Sequence, residues 1–361
     1  VFVIGTHYTP DDLSDFAGTV IRDNEIHGAH RSGVEIAGGV ANLTLEHNDI
    51  YGNGGFSTAE AASLKYGNGI VVIRTTTGGD MHGANAPYVD AITIRDNWIH
   101  NNEKNGIYLG PQNRNHVITG NVIENNGALG GGYQAWDGVR LDLNGEYYAG
   151  KPWAAQPGNA SNLAIAGNSL AGNGALAARV VGTPTNGLVV DASGNWFGSA
   201  ELDDVRAAVS TFVDYTPWLQ WEDLDDDPAN GFQADWSYLH VDAASPQVGA
   251  LGRVQEGIDR VDDGGVLAVH HGTYNERFDV AKSVEVAGVP DLMTGDLPRI
   301  DLRGAEGPSG QGIRITASEA TLEGFEILGG PATHYGVYIA GGGEELTEIR
   351  VANNRIHGMK L

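Results

Sequence analysis

The fold predicted by this sequence is all-β: a chain wound as a right-handed parallel β-helix, a solenoid. Three observations predict it. An apolar strand running into Asn-x-(Ile/Leu) recurs along the chain, with ladder asparagines 24 residues apart or close to twice that. Each interval holds two or three segments of alternating apolar residues, too short for helices and punctuated by Gly or Asn. Glycine supplies 53 of 361 residues but shows no Gly-X-Y period, which excludes a collagen-like chain. A propeller or sandwich would require hairpin turns and a longer repeat, or none.

The repeat is carried by Asn24, Asn48, Asn97, Asn121, Asn168 and, near the far end, Asn354, each followed two positions later by Ile or Leu. From Asn24 to Asn48 is 24 residues, and from Asn97 to Asn121 again 24; the intervals of 49 (Asn48 to Asn97) and 47 (Asn121 to Asn168) read as two such units. Between the copies lie Gly33-Val34-Glu35-Ile36, Gly69-Ile70-Val71-Val72, Gly106-Ile107-Tyr108-Leu109 and Gly138-Val139-Arg140-Leu141. One coil per unit lets inward Ile, Val and Leu stack on their counterparts about 4.8 Å away along the axis. An Asn at a fixed corner suits a left-handed backbone position and hydrogen-bonds its neighbours in a ladder. These residues resemble the parallel β-helix repeat family, the pectate-lyase-like superfamily of bacterial extracellular repeat proteins, over nearly the whole chain. The resemblance implies a fold and names no chemistry.

The chain is expected to contain two β-helical segments rather than one. Gly194-Asn195-Trp196-Phe197-Gly198, a short helix over 201–210 with Leu202, Val205 and Val209 at helical spacing, and Tyr215-Thr216-Pro217-Trp218-Leu219 resemble the closing part of bacterial β-helix domains. An acidic, Pro-broken stretch follows and reads as a linker. Beyond it, an amphipathic segment with Val254, Ile258 and Val261 on one face, then Gly272-Thr273-Tyr274-Asn275-Glu276, resembles the capping helix and first coils of secreted β-helix proteins. The expected division is therefore 1–221, a closing β-helix portion; 222–240, the linker; and 241–361, the opening portion of a second β-helix. End-to-end contact of copies, the Leu361 end on the Val1 end, or flanking repeats of a longer chain, would match such an arrangement.

Formal net charge is −25, from 46 acidic and 21 basic side chains, so nucleic acid is not an expected partner. With no cysteine, disulfide scaffolds and thiolate metal sites are excluded. The longest apolar runs, such as Ile70-Val71-Val72-Ile73, are too short to span a bilayer. Asp223, Asp225, Asp226 and Asp227 form an acidic cluster whose hard oxygens suit Ca²⁺, although it lacks the Gly and distal Glu of an EF-hand.

Stretches 54–68, 75–88 and 127–160 interrupt the repeat, and insertions of this kind build binding faces on solenoids. The third carries Tyr133, Trp136, Tyr147, Tyr148 and Trp153, flat rings suited either to sugar stacking or to packing the loop on the barrel. A polysaccharide lyase or epimerase needs a base near the uronate C5 proton and a cation for the enolate-like intermediate; His100, Lys104, Tyr108, Arg140, Asp142 and Tyr148 are the candidates. There is no Asp-Pro-His run like that of alginate epimerases, so no residue role transfers from them. His27, His47, His100, His116 and His357 are expected at outward or corner positions. Taken together, the sequence favours a structural or adhesive element, extracellular or on a bacterial cell surface and possessing a tandem or filamentous organisation. The alternative is a carbohydrate-active enzyme or a carbohydrate-binding module acting through 127–160.

Overall fold

The structure is a computed structural model that describes residues 1–4, 16–38, 40–54, 67–73, 89–111, 113–127, 136–144, 160–222, 227, 231–305, 310–343 and 345–360. It divides into two compact units: Val1–Tyr215 with Glu222–Ala234, and Thr216–Trp221 with Asp235–Leu361. Two local contacts account for the crossed assignment. Trp218–Leu219 pairs antiparallel with Tyr238–Val241, Trp218 opposite His240, while the Phe232 amide donates to the Gly120 carbonyl at 2.7 Å.

Among the described residues of the first unit all strand pairs are parallel and run along three sheets. A lateral sheet stacks Phe2–Ile4, Val34–Ala37, Ile70–Ile73, Ile107–Leu109, Val139–Asp142 and Ala178–Val181. A short sheet stacks Glu25–His27, Asp49–Tyr51, Trp98–His100 and Val122–Glu124. A long sheet runs from Val20–Arg22 through Thr44–Glu46, Thr93–Arg95, Asn113–Thr119, Ser161–Ile165 and Val190–Asp191 to Val213–Asp214. Strands pair with their counterparts one coil away rather than with their sequence neighbours, which is the signature of a wound solenoid. Registered columns such as Ile26, Ile50, Ile99 and Ile123 show why the repeat is apolar at that position: the last three are fully buried, each on the next.

The corners are held by asparagine ladders. Asn48 Nδ2 donates to Asn97 Oδ1, Asn97 Nδ2 to Asn121 Oδ1, and Asn121 Nδ2 to Asn168 Oδ1, each at 2.9 Å, and Asn168 continues to Asn195 at 3.0 Å. Each also reaches backbone carbonyls, as Asn97 does at Leu45 (3.0 Å) and Arg95 (2.8 Å). A second ladder joins Asn53, Asn102, Asn126 and Asn173. It explains the glycine before each lateral strand. A Cβ on Gly33, Gly69, Gly106 or Gly138 would lie 2.7–2.9 Å from the Nδ2 of Asn53, Asn102, Asn126 or Asn173, too close to coexist with that ladder.

Two expectations change here. The ladder asparagine itself does not adopt the left-handed conformation. Its predecessor does: Asp23, His47, Asp96 and Gly120 have φ of 57°, 51°, 55° and 66°. The turn is made one residue earlier, which frees the Asn side chain to point along the axis. The 49- and 47-residue intervals are also single coils, not pairs. Asn48 bonds directly to Asn97 and Thr44 pairs with Thr93, so the added residues are insertions within one coil.

In the second unit, Tyr238–Val241, Val266–His270, Glu285–Val289, Thr321–Glu323 and Arg350–Ala352 stack in parallel, beside sheets of four and three strands. Both expected helices are present: α1 (Leu202–Ala208) buries Leu202 and Val205, and α2 (Arg253–Arg260) buries Val254 and Ile258. Helix α2 lies so close to the coil that a Cβ on Gly257 would meet Leu267 Cδ1 at 2.6 Å. Its first amides are satisfied by the Gly-Thr-Tyr-Asn-Glu turn, because Glu276 accepts from the amides of Val254 (3.0 Å) and Gln255 (3.2 Å). Burial pushes the Glu276 carboxyl up, and these amide bonds and Arg253 oppose it. Tyr274 fixes the same turn by donating to the His270 carbonyl at 2.8 Å.

The ladder makes one mutational prediction. Asn97→Ala removes several buried hydrogen bonds at once and strands carbonyls on two coils, so unfolding free energy should fall by about 2–4 kcal/mol. Asn24→Ala, at the exposed start of the ladder, should cost less than about 1 kcal/mol. Urea denaturation of both variants checks this, and equal losses would remove the ladder as the main constraint.

Candidate functional site

Alternation along the lateral sheet sends Val34, Ile70, Ile107 and Val139 to one face and the registered column Glu35, Val71, Tyr108, Arg140 and Arg179 to the other. That second column changes from carboxylate to aliphatic to phenol to guanidinium, a mixture that stacking alone does not require. Tyr108, Val71 and Asp142 are fully buried, and Arg140 nearly so.

Polar geometry gathers around Tyr108 and Arg140. The Tyr108 hydroxyl donates to Asp142 Oδ2 at 2.6 Å, and Asp142 Oδ1 accepts from the Asn144 amide at 3.0 Å. Arg140 Nη1 donates to Asp137 Oδ2 at 3.3 Å, and Arg179 Nε contacts both Asp137 oxygens at 2.8 and 2.9 Å. Asp137 is further fixed by the Leu176 amide at 3.1 Å. The Trp136 ring is flanked by two cations, Lys104 Nζ at 5.1 Å and Arg140 Cζ at 5.7 Å from its centroid. Burial pushes the Lys104 ammonium down to about 8, with Glu103 opposing the shift.

Of the candidates read from the sequence, Lys104, Arg140 and Asp142 therefore come together, with Tyr108 and Trp136. His100 does not join them. It sits on the short sheet, its Nε2 2.9 Å from Asp49 Oδ1, its ring stacked on Tyr51 and Trp98 at centroid distances of 5.1 and 3.7 Å. His27 extends that stack from Tyr51 at 4.9 Å. The ring ladder had no motif of its own, because His27, Tyr51 and His100 are separated by a coil each. The role of Asp137 in clamping two arginines depends on Arg179, a coil away, and so has no local sequence signal.

Tyr133, Tyr147, Tyr148 and Trp153 lie outside the described residues, as do Asp223, Asp225 and Asp226; Asp227 is described. Among the described residues no group of three or more His, Asp or Glu side chains is placed to hold a metal ion. His27, His47 and His357 are exposed as expected, whereas His100 and His116 are buried. His116 closes a corner: its Nδ1 accepts from the Ile92 amide at 3.1 Å and its Nε2 meets Asn113 Oδ1 at 2.8 Å. Burial pushes it down to about 3, so it is a neutral structural ring. In the second unit His240 is pushed down to about 3 by burial and by His270, whose Nε2 is 3.0 Å from His240 Nδ1.

Residues 12–146 match the family described as the right-handed beta helix region. The fold is a right-handed parallel β-helix. Among solved structures, the A-module of a mannuronan C-5 epimerase from Azotobacter vinelandii aligns over 99% of this chain and 79% of its own, at 13% identity and a TM-score of 0.20. No curated protein matches the sequence. Among the described residues no helix is long and apolar enough to cross a membrane.

The Lys104 environment is directly measurable. Its side-chain NMR titration should have a midpoint near 8, well below an ordinary lysine. A midpoint above 10 would mean that the ammonium is solvated and that the cluster is not a low-dielectric site.

Proposed function

We propose that the first unit acts on an acidic, uronate-containing polysaccharide by abstracting the proton at C5. The observation that supports this most is the gathering of a lysine with a depressed pKa and an arginine around the Trp136 ring, beside a tyrosine bonded to a carboxylate. In this reading Arg140 pairs with the uronate carboxylate and stabilises the negative charge that develops there as C5 loses its proton. Neutral Lys104 takes that proton. Tyr108, oriented by Asp142, gives its proton either to the departing C4 oxygen, leaving a 4,5-unsaturated uronate, or back to C5 from the other side, leaving the epimer. Trp136 spaces the two cations and supplies an apolar wall.

Two readouts test the assignment: ultraviolet absorbance of unsaturated product, and exchange of C5 hydrogen for solvent deuterium, on polygalacturonate and alginate. The rate should rise with pH and level off above about 8, because Lys104 acts in its neutral form. Tyr108→Phe should lower turnover by about 100-fold or more. The absence of both elimination and exchange on every polyuronate tried would sink the proposal.

A structural role is a second reading, favoured by one feature of the second unit. Leu322 and Ile327 are fully buried, while their ladder successors Val351 and Ile356 are 38% and 44% exposed. A further coil stacked there, from flanking repeats of a longer chain or from a second copy with its Phe2 edge on this one, would bury them. For a second copy, sedimentation should show a concentration-dependent series that Ile356→Asp abolishes, and a monomer at all concentrations would dismiss the stacking of copies.

A further inference from the structure

The second unit carries a groove that none of these readings uses. Its floor is the outward column of the four-stranded sheet, where Thr273, Arg299, Glu326 and Arg355 stand in register, one per coil. Its wall is the loop after Glu285–Val289, and the enclosed volume is about 400 Å³, in the range of small-ligand clefts. The loop is internally fixed. Asp291 Oδ1 accepts from the amides of Met293 (2.8 Å) and Thr294 (2.9 Å), the Asp291 amide donates to the Asp296 carbonyl at 2.9 Å, and Thr294 Oγ1 donates to Asp296 Oδ2 at 2.9 Å.

Most charges in the groove are already matched. Arg299 Nε is 2.6 Å from Glu326 Oε2, His357 Nε2 is 3.0 Å from Glu326 Oε1, and His271 Nε2 is 3.2 Å from Asp291 Oδ2. Two are not. Among the described residues, neither the Arg355 guanidinium nor the Asp296 carboxylate has an ionic partner, and they do not pair with each other. A groove that offers one unmatched cation and one unmatched anion is complementary to a ligand carrying both signs. A phosphate or other multiply charged anion would meet three carboxylates, Asp291, Asp296 and Glu326, against one available guanidinium. Among the described residues no three His, Asp or Glu side chains, these carboxylates included, are placed to share a metal ion.

We propose that this groove binds a zwitterionic amino compound, a free amino acid or dipeptide, with its carboxylate on Arg355 and its ammonium on Asp296. A bidentate guanidinium–carboxylate contact fixes one end, and Asp296, held by Thr294, fixes the other. Thr273 and His271 then face the middle of the ligand. The proposal stands apart from the Lys104 cluster and does not depend on its chemistry.

The test uses the full chain and follows the ring NMR signals of His271, which lines the groove, and of His357, which is bonded to Glu326 on its floor. The probes are Ala-Ala with small, acidic, basic and aromatic dipeptides, N-acetyl-Ala-Ala, Ala-Ala amide, glucuronate and inorganic phosphate. At least one free dipeptide should shift both signals saturably. Blocking either terminus should weaken binding by about tenfold or more, the loss of one charge-assisted contact. Arg355→Gln should remove the penalty for amidation, and Asp296→Asn the penalty for acetylation. Both side chains are exposed, so neither substitution threatens the fold. Equal binding of blocked and free dipeptides, stronger binding of glucuronate or phosphate, or no shift with any dipeptide would overturn the proposal.

Discussion

Everything in the first unit depends on axial hydrogen bonding between asparagine side chains. A parallel coil satisfies its strand amides through its neighbours, but its corners leave carbonyls pointing into a crowded, dry turn. Asn answers this with one amide that donates twice and accepts twice. It reaches the carbonyl of its own turn and that of the preceding coil, and it passes the same pattern on. The left-handed residue before it, Asp23, His47 or Asp96, gives the chain its bend without taking the Asn out of line. The glycines at 33, 69, 106 and 138 are the negative image of the second ladder, small because the ladder passes where a Cβ would be. Repeat period, glycine placement and burial of the Ile column are thus three expressions of one constraint.

With the corners so constrained, chemistry is left to the faces. The lateral sheet varies along its rungs, Glu35, Val71 and Tyr108 and then Arg140 and Arg179, because strand pairing is indifferent to what points outward. A solenoid therefore brings side chains from residues 104, 108, 136, 140 and 179 into one neighbourhood without any local motif. The second unit uses the same device on its four-stranded sheet, with a folded loop as the opposite wall.

This division explains what could be read from the sequence. The winding was legible because Asn-x-Ile and the Gly-led strands recur, and helix α2 because Val254, Ile258 and Val261 keep helical spacing. Arg140, Asp142 and Lys104 were legible as candidates by residue type. Their convergence was not, since it depends on register between coils whose lengths vary. The 49-residue interval misled for the same reason: an insertion of about one coil's length imitates an extra coil, and only the direct Asn48 to Asn97 bond distinguishes them. His100 and His116 were misplaced because a polar ring at a corner reads as solvated, whereas each finds partners a coil or a turn away. The groove in the second unit had no sequence signal, its floor being single residues from four coils.

The direct bond across an insertion has an evolutionary corollary. Because Asn48 meets Asn97 across 49 residues by the same bond that joins Asn97 to Asn121 across 24, the corner register does not depend on the length of chain between corners. Loops can lengthen, shorten or be exchanged there without disturbing register, and a whole coil can be duplicated or lost provided that the chain resumes at the same point in the turn. Changes of any other length would rotate every subsequent apolar column out of the core. Selection on such a chain therefore acts on two separate clocks, a slow one for the corners and a fast one for what hangs between them.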